Sequence, residues 1–306
     1  MEIRTLTYFM AVAEERNLTR AAARLHIAQP SLTKQLKILE EELGTSLFVR
    51  GKRGMEPTRE GEYLYRQGRQ ILELVSKTEG QLKEMQEGLQ GTLYVSAVET
   101  IGNSLMPEWL AGFHKKYPDV TYRVWNGNTD DVLERLKNGL TDMAIARAPF
   151  DKKLFDGILL GEDAWVAVMN REHPLAAKPG KTVKLAELAE HKLILAISRY
   201  RGGELREWFQ SVGKEPQIIA EFAPLMSGIS LAACGIGVAI LPGLSASSVE
   251  YKPDVVVKQI EGLDEQTKYA LIWRRQDELS GVSRQFIAYV EKWMREQGEE
   301  PAAEGI

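Results

Sequence analysis

The spacing of apolar residues changes once along this 306-residue chain, near Gly91, and that change limits the fold more than any other feature. Before Gly91, apolar residues recur every three or four positions, as in helices that pack on a core. After it, short apolar runs alternate with helical segments, a pattern typical of α/β sheets. We therefore expect an α+β multidomain protein, with a small helical domain ahead of a larger α/β domain.

Three helices and a hairpin are predicted within the first 60 residues. Asn17 suits the N-cap of the second helix, Pro30 the first turn of the third, and Gly44 its end. The third helix carries leucines on one side and polar residues on the other. Two short strands, 47–49 and 55–58, flank the basic turn RGKRG.

Basic residues are concentrated around the predicted third helix. Eight basic and three acidic side chains lie between Arg16 and Arg53, a local charge of +5 in a chain whose net charge is −4. Such a local excess is the electrostatic footprint of a protein that binds a polyanion. Two short helices with a tight join fit the helix-turn-helix layout, whose second helix enters the major groove. A small helical bundle with a solvated polar face is the alternative.

Several side chains of this region can contact DNA. Gln35 can pair with adenine through its amide, and Lys34 can reach guanine. Ser31 and Thr33 can bond to phosphates or bases. The further basic candidates are Arg20, Lys37, Arg50 and Arg53.

One long helix is predicted from about residue 59 to residue 89. Apolar residues recur along it at alternating spacings of four and three, the 3.5-residue period of a coiled-coil seam. The candidate seam residues are Leu64, Ile71, Val75, Leu82 and Met85. We expect this face to contact a second copy of the chain. A face packed on the chain's own core is the alternative.

The chain after Gly91 predicts two similar lobes, because the order strand–helix–strand–helix–strand occurs twice. This alternation predicts parallel sheets, with ligands bound at the carboxyl ends of the strands. Polar side chains stand at or near these predicted ends: Glu99, Thr100, Asn128, Thr129, Arg147, Ser198 and Arg199. Hydroxyls at helix starts and arginines favour an anionic ligand, whereas Glu99 favours an amine or a hydroxyl.

The sequence offers little for catalysis, metals or membranes. The single cysteine, Cys234, excludes an internal disulfide and is expected to be buried, and the four histidines lack metal-ligand spacing. No nucleophile-elbow, P-loop or dinucleotide-binding motif occurs. No run is long and apolar enough to cross a bilayer, and the amino terminus does not look like a secretory signal. We therefore expect a cytoplasmic protein that is not an enzyme and uses no metal or cofactor.

The segment FMAVAEERNLTRAAARLHIAQPSLTKQLKILEEELGTSLFVR closely resembles the winged helix-turn-helix of LysR-type transcriptional regulators. DMAIAR and GIGVAILP occur where the effector domain of that family has them. The resemblance implies a winged helix-turn-helix over 1–58, a linker and dimerisation helix over 59–90, and a two-lobed, periplasmic-binding-protein-like effector domain over 91–306. Lobe I is then 91–161 with 268–306, and lobe II is 162–267.

The resemblance also implies partners and site residues. It maps DNA contacts onto Gln29, Pro30, Ser31, Thr33, Lys34, Gln35, Arg50 and Arg53. It makes the polar residues at the strand ends the lining of an effector cleft, occupied by a small metabolite that alters binding to promoter DNA. Members of the family form dimers that commonly assemble into tetramers, and RNA polymerase is a further candidate partner. A solute-binding protein without gene regulation and an α/β enzyme are the two alternative functions.

Overall fold

The computed structural model describes residues 1–51, 54–84, 90–197, 204–249, 252–263 and 266–298. The chain divides into two compact units, Met1–Gln86 and Glu87–Ile306. Unit 1 is a winged helix-turn-helix followed by a long helix, and unit 2 is a two-lobed α/β domain. The expected fold class is confirmed.

Unit 1 contains four helices and a two-stranded hairpin. They are α1 (Ile3–Glu15), α2 (Leu18–Arg24), α3 (Gln29–Leu43), β1 (Phe48–Gly51), β2 (Gly54–Pro57) and α4 (Arg59–Glu84). The side chain of Asn17 accepts two backbone hydrogen bonds at the start of α2, at 2.9 and 3.0 Å. Pro30 lies in the first turn of α3, and Gly44 ends that helix with a φ of +67°. The local signals in the sequence therefore set these helix ends, as predicted.

The hairpin is fixed to the helices by hydrogen bonds and close packing. The amide of Met55 donates to the carbonyl of Arg16 at 2.9 Å. Gly54 has a φ of +119°, and a Cβ there would lie 2.3 Å from that same carbonyl oxygen. On the other side, Glu40 of α3 accepts a hydrogen bond from the amide of Leu47 at 2.7 Å. The hairpin is thus held in a defined position beside α3.

A glycine lets α4 pack closely on α1. A Cβ on Gly68 would lie 3.0 Å from both Leu6 Cδ1 and Met10 Sδ. Leu64, one turn earlier, is partly buried against the core of unit 1. Leu64 was predicted to lie on a seam with a second copy; it packs in part against its own chain, and its place on the seam stays a prediction. The first part of α4 is therefore a core-facing helix, which was the alternative interpretation.

Unit 2 contains eleven strands among the residues that the structure describes. Its elements, in chain order, are β3 (Gly91–Val98), α5 (Glu99–Asn103), α6 (Met106–Lys116), β4 (Val120–Gly127), α7 (Thr129–Lys137), β5 (Met143–Arg147), β6 (Phe155–Asp163), β7 (Trp165–Asn170), α8 (Pro174–Ala177), β8 (Thr182–Lys184), α9 (Leu185–Leu188), β9 (Lys192–Ala196), α10 (Glu204–Ser211), β10 (Gln217–Phe222), α11 (Leu225–Ala233), β11 (Val238–Pro242), a 3-10 helix (Gly243–Val249), β12 (Val255–Glu261), β13 (Thr267–Arg274) and α12 (Gly281–Glu296).

Each lobe is built on one mixed sheet. The strand order is β4-β3-β5-β13-β6 in lobe I and β10-β9-β11-β7-β12-β8 in lobe II. The prediction of parallel sheets is wrong in part, because β13 pairs antiparallel with β5 and β6, and β7 pairs antiparallel with β11 and β12. The chain enters lobe II through β6 and β7 and returns to lobe I as β13.

The cores of unit 2 are aromatic and aliphatic. In lobe I, Trp109, Phe113 and Phe286 are fully or almost fully buried between the sheet and its helices. In lobe II, the neighbours Leu193 and Ile194 of β9 belong to two different clusters, because successive side chains of a strand point to opposite faces. All six tryptophans lie between residues 109 and 293, so unit 2 holds all of them.

Candidate functional site

The first candidate site is the outer face of α3. Leu32, Leu36 and Leu39 are buried in the core of unit 1. The opposite face carries side chains that are exposed, apart from the half-buried Gln35: Gln29, Pro30, Ser31, Thr33, Lys34, Gln35 and Lys37. A helix with this division can press one side into a groove while the other stays packed.

Some of these polar side chains have partners within α3 itself. The hydroxyl of Thr33 donates to the carbonyl of Gln29 at 3.0 Å, and its oxygen lies 3.5 Å from the Gln29 amide nitrogen. Lys37 forms a long, exposed ion pair with Glu41 at 3.7 Å. Such exposed pairs are weak, so a phosphate can compete for this lysine.

Arg20 of α2 is exposed but already has a protein partner. Its guanidinium donates to the carbonyl of Glu15 at 2.6 Å and lies 3.6 Å from the Glu15 carboxylate. The sequence analysis did not predict this contact between Arg20 and Glu15 of α1. The side chain of Arg50 and the whole of Arg53 lie outside the described residues, so the hairpin contacts stay predictions.

The second candidate site is a cleft of about 890 Å³, open to solvent, between the lobes of unit 2. Lobe I supplies the polar residues Glu99, Thr100, Asn128, Thr129, Asp130 and Arg147. Five of these six were singled out from the sequence, and Asp130 was missed. The predicted cleft residues Ser198 and Arg199 lie outside the described residues.

Helix starts position the polar side of the cleft. Thr100 lies in the first turn of α5, and its side chain is mostly buried. Asn128 caps α7, since its side chain accepts a hydrogen bond from the amide of Asp131 at 3.0 Å. Thr129 is therefore the first residue of α7, where backbone N–H groups point outward and attract negative charge.

Arg147 brings a positive charge to the cleft at the end of β5. Its Nε donates to the hydroxyl of Thr267 at 2.5 Å, and its guanidinium carbon lies 4.7 Å from the ring centroid of Trp165.

Tyr269 stands opposite Arg147 in the sheet, and burial raises the pKa of its phenol. Burial also raises the pKa of Asp163, while its hydrogen bond from the amide of Leu244, at 2.8 Å, opposes that shift.

Lobe II supplies an apolar wall that the sequence did not reveal. The lining residues from lobe II are Trp165, Ala196, Ile197, Leu205, Phe222, Ala223, Leu225, Ile240, Leu241 and Pro242. Trp165 is buried in the core of lobe II and also lines the cleft.

Glu99 has a partner across the cleft. One carboxylate oxygen, Oε2, accepts a hydrogen bond from the amide of Leu225, the first residue of α11 in lobe II. Glu99 lies in lobe I and was predicted to recognise an amine or a hydroxyl of the ligand. At least one of its oxygens is instead used within the protein.

The exposed face of α4 is the third feature of interest. Ile71 and Leu82 are exposed apolar residues, Leu82 with 59% of its surface accessible, and Val75 is half-buried. Leu74 is exposed on the same side of the helix and was not singled out. Met85 lies outside the described residues.

Cys234 was expected to be buried, but it is exposed at the end of α11. The described residues contain no group of three or more His, Cys, Asp or Glu side chains that could hold a metal ion. Across the described ranges, no helix is both long and apolar enough to span a membrane.

Comparison with known proteins covers both units. Residues 3–62 match the family "Bacterial regulatory helix-turn-helix protein, lysR family", and residues 86–295 match "LysR substrate binding domain". The chain is 30% identical to the HTH-type transcriptional regulator BudR of Raoultella terrigena, over 93% of this chain and 98% of BudR. It is 29% identical to the Hca operon transcriptional activator HcaR of Escherichia coli, over 95% of this chain and 98% of HcaR.

Solved structures agree with this assignment. The crystal structure of CbnR, a LysR family transcriptional regulator, has a TM-score of 0.79 and 27% identity, covering 95% of this chain and 99% of CbnR. Full-length CbnR complexed with its target DNA has a TM-score of 0.76 and 28% identity, with the same coverage. These relatives are transcriptional regulators, which favours that function over a solute-binding protein or an enzyme. The chain belongs to the LysR family of transcriptional regulators, with a DNA-binding helix-turn-helix and an effector-binding domain.

Proposed function

We propose that α3 reads promoter DNA through its exposed face. Ser31, Lys34 and Gln35 contact base edges, because they lie near the start of α3, which is the part of a recognition helix that reaches the bases. The proposed DNA-binding set is Arg20, Gln29, Pro30, Ser31, Thr33, Lys34, Gln35, Lys37, Arg50 and Arg53. The observation that carries the proposal is the burial of Leu32, Leu36 and Leu39, which packs one side of α3 on the core and leaves its polar face exposed.

The effector is proposed to be a small molecule with an acidic group and an apolar body. Arg147 and the hydroxyls of Thr100 and Thr129 suit a carboxylate, and the wall formed by Phe222 and its neighbours suits an apolar body. The proposed effector site also includes Glu99 and Asn128 and, outside the described residues, Ser198 and Arg199.

The proposal also assigns a function to each domain and names the partners of the protein. Residues 1–58 bind DNA, 59–90 dimerise, and 91–306 bind the effector. Lobe I is 91–161 with 268–306, and lobe II is 162–267. Two copies pair through α4, using Leu64, Ile71, Val75, Leu82 and Met85, and such dimers assemble further into tetramers. The protein acts in the cytoplasm, where its DNA target is, and RNA polymerase is a candidate partner at the promoter.

The DNA proposal is tested by separating specific from nonspecific binding. The operator is first located by genomic footprinting of the bound protein. Ser31→Ala and Gln35→Ala should then weaken binding to that operator by about 5-fold to 150-fold, the value of one good base contact. Binding to unrelated duplex DNA should change by less than about twofold, because phosphate contacts carry it.

Ser76→Ala and Gln67→Ala are matched controls. Both change exposed side chains of the same types on α4, outside the proposed DNA contacts. If the α3 variants lose specific and nonspecific affinity equally, Ser31 and Gln35 touch only phosphate and the base-reading assignment is wrong.

A further inference from the structure

We propose that Glu99 is a positioning residue that holds the two lobes together across the effector cleft, by accepting a hydrogen bond from the first amide of α11. The two partners are 126 positions apart in sequence, and both line the cleft. The inference rests on the proposed function only in calling this cleft the effector site.

The start of α11 needs a partner from outside its own segment. Pro224 is its N-cap residue and makes no side-chain hydrogen bond. The first amides of a helix have no acceptor within the helix, and they carry partial positive charge. The carboxylate of Glu99 supplies both an acceptor and a negative charge to the amide of Leu225. A hydrogen bond to a charged group is stronger than one between neutral groups.

This contact joins the two sides of the cleft directly. Glu99 begins α5, whose next residue, Thr100, lies on the polar side. Leu225 begins α11, three residues after Phe222 of the apolar wall. A bond between these helix starts fixes the spacing between the polar side and the apolar wall. A ligand that touches both sides is then fitted to a preset width, so Glu99 acts on effector binding through α11.

Hydrogen exchange measures this bond without any effector. Amide exchange at the start of α11, residues 225–228, should be at least about tenfold faster in Glu99→Ala than in the unmodified full-length protein, because the bond to the carboxylate is lost. Glu99→Gln retains an acceptor of similar length without the charge, so its exchange should lie between the two.

Glu108→Ala is the matched control. Glu108 is exposed in the first turn of α6 in the same lobe, and it does not line the cleft. Its removal tests the general effect of losing an acid from a lobe I helix start, and exchange at α11 should stay unchanged.

A second readout tests the spacing of the lobes. Quenching of Trp165 by acrylamide, taken as the difference between each protein and its Trp165→Phe counterpart, should increase in Glu99→Ala as the cleft opens.

Unchanged exchange at α11 in both Glu99 variants would overturn the inference. So would faster exchange confined to α5, since that indicates a purely local role. If Glu99→Ala fails to fold, Glu99→Gln decides the same question. Failure here leaves the proposed DNA and effector functions standing, because no effector or DNA takes part in the measurement.

Discussion

His173 is a side chain whose charge the fold controls. Its Nδ1 accepts a hydrogen bond from the amide of Leu175 at 3.2 Å and so caps α8. Its ring meets that of His191, with centroids 4.8 Å apart. Burial lowers the pKa of His173, and the nearby His191 lowers it further. The folded protein therefore favours the neutral imidazole.

This lowered pKa predicts a pH dependence. Because the unfolded chain takes up the proton more readily, the contribution of His173 to stability is complete above the unfolded pKa of about 6.5 and is lost as the pH falls below it. His173→Asn keeps a capping side chain and cannot titrate. The unmodified protein should lose more free energy of unfolding between pH 7 and pH 5 than this variant, in urea titrations followed by tryptophan fluorescence. Equal losses would show that the charge of His173 does not matter.

At the residue scale, the sequence predicted the structural roles that depend on residues only a few positions away in the chain. Asn17 was identified as a cap because a cap and its partners lie within a few residues. The contact of Trp165 with Arg147 was not predicted, because it is made through the crossing between lobes, which no local pattern encodes. Cys234 is exposed because it follows the last buried residue of α11, Ala232, at the point where the helix ends.

Packing between α1 and α4 can be tested at Gly68. Gly68→Val places a branched side chain against Leu6 and Met10, where even a Cβ is 3.0 Å from both. We expect the free energy of unfolding of unit 1 to fall by about 1–3 kcal/mol, as in other overpacked cores. Circular dichroism at the helix band during urea unfolding measures this change. Gln67→Val, on the exposed side of the same helix, controls for the lower helix propensity of valine, and an equal effect there would contradict the packing argument.

At the element scale, prediction succeeded for segments whose apolar residues repeat with a clear helical or strand period. The helices of unit 1 and the alternating strands β3, β4, β5, β9, β10 and β11 follow from the spacing of apolar residues. The pattern did not predict β6, β7, β8 and β12. Strands β6 and β12 are only partly buried along their length, so their apolar spacing is weak, and β8 has three residues. The mixed sheets follow from β7 and β13, whose direction depends on connections across the whole domain.

Assembly of two copies is a property of the whole molecule. Leu82→Glu should weaken self-association, because pairing through α4 would bury the new charge without a partner, and a buried, unpaired charge is costly. Sedimentation of the full-length protein without DNA measures the change. Leu154→Glu is the control, because it places the same charge at an apolar residue that is 41% exposed and belongs to unit 2 instead of to α4. Identical sedimentation of Leu82→Glu and the unmodified protein would remove α4 from the dimer interface.

The order in which the lobes can close follows from the position of β13. Lobe II has all its strands once the chain has reached Glu261, but lobe I needs β13, which fills the gap between β5 and β6 in the middle of its sheet. On the ribosome, lobe II therefore becomes complete first. The edges of β5 and β6 stay unpaired until β13, which lies more than a hundred residues further along the chain, has been translated. A chain cut short before Thr267 would keep those edges open and be prone to aggregate, because unpaired strand edges pair with other chains.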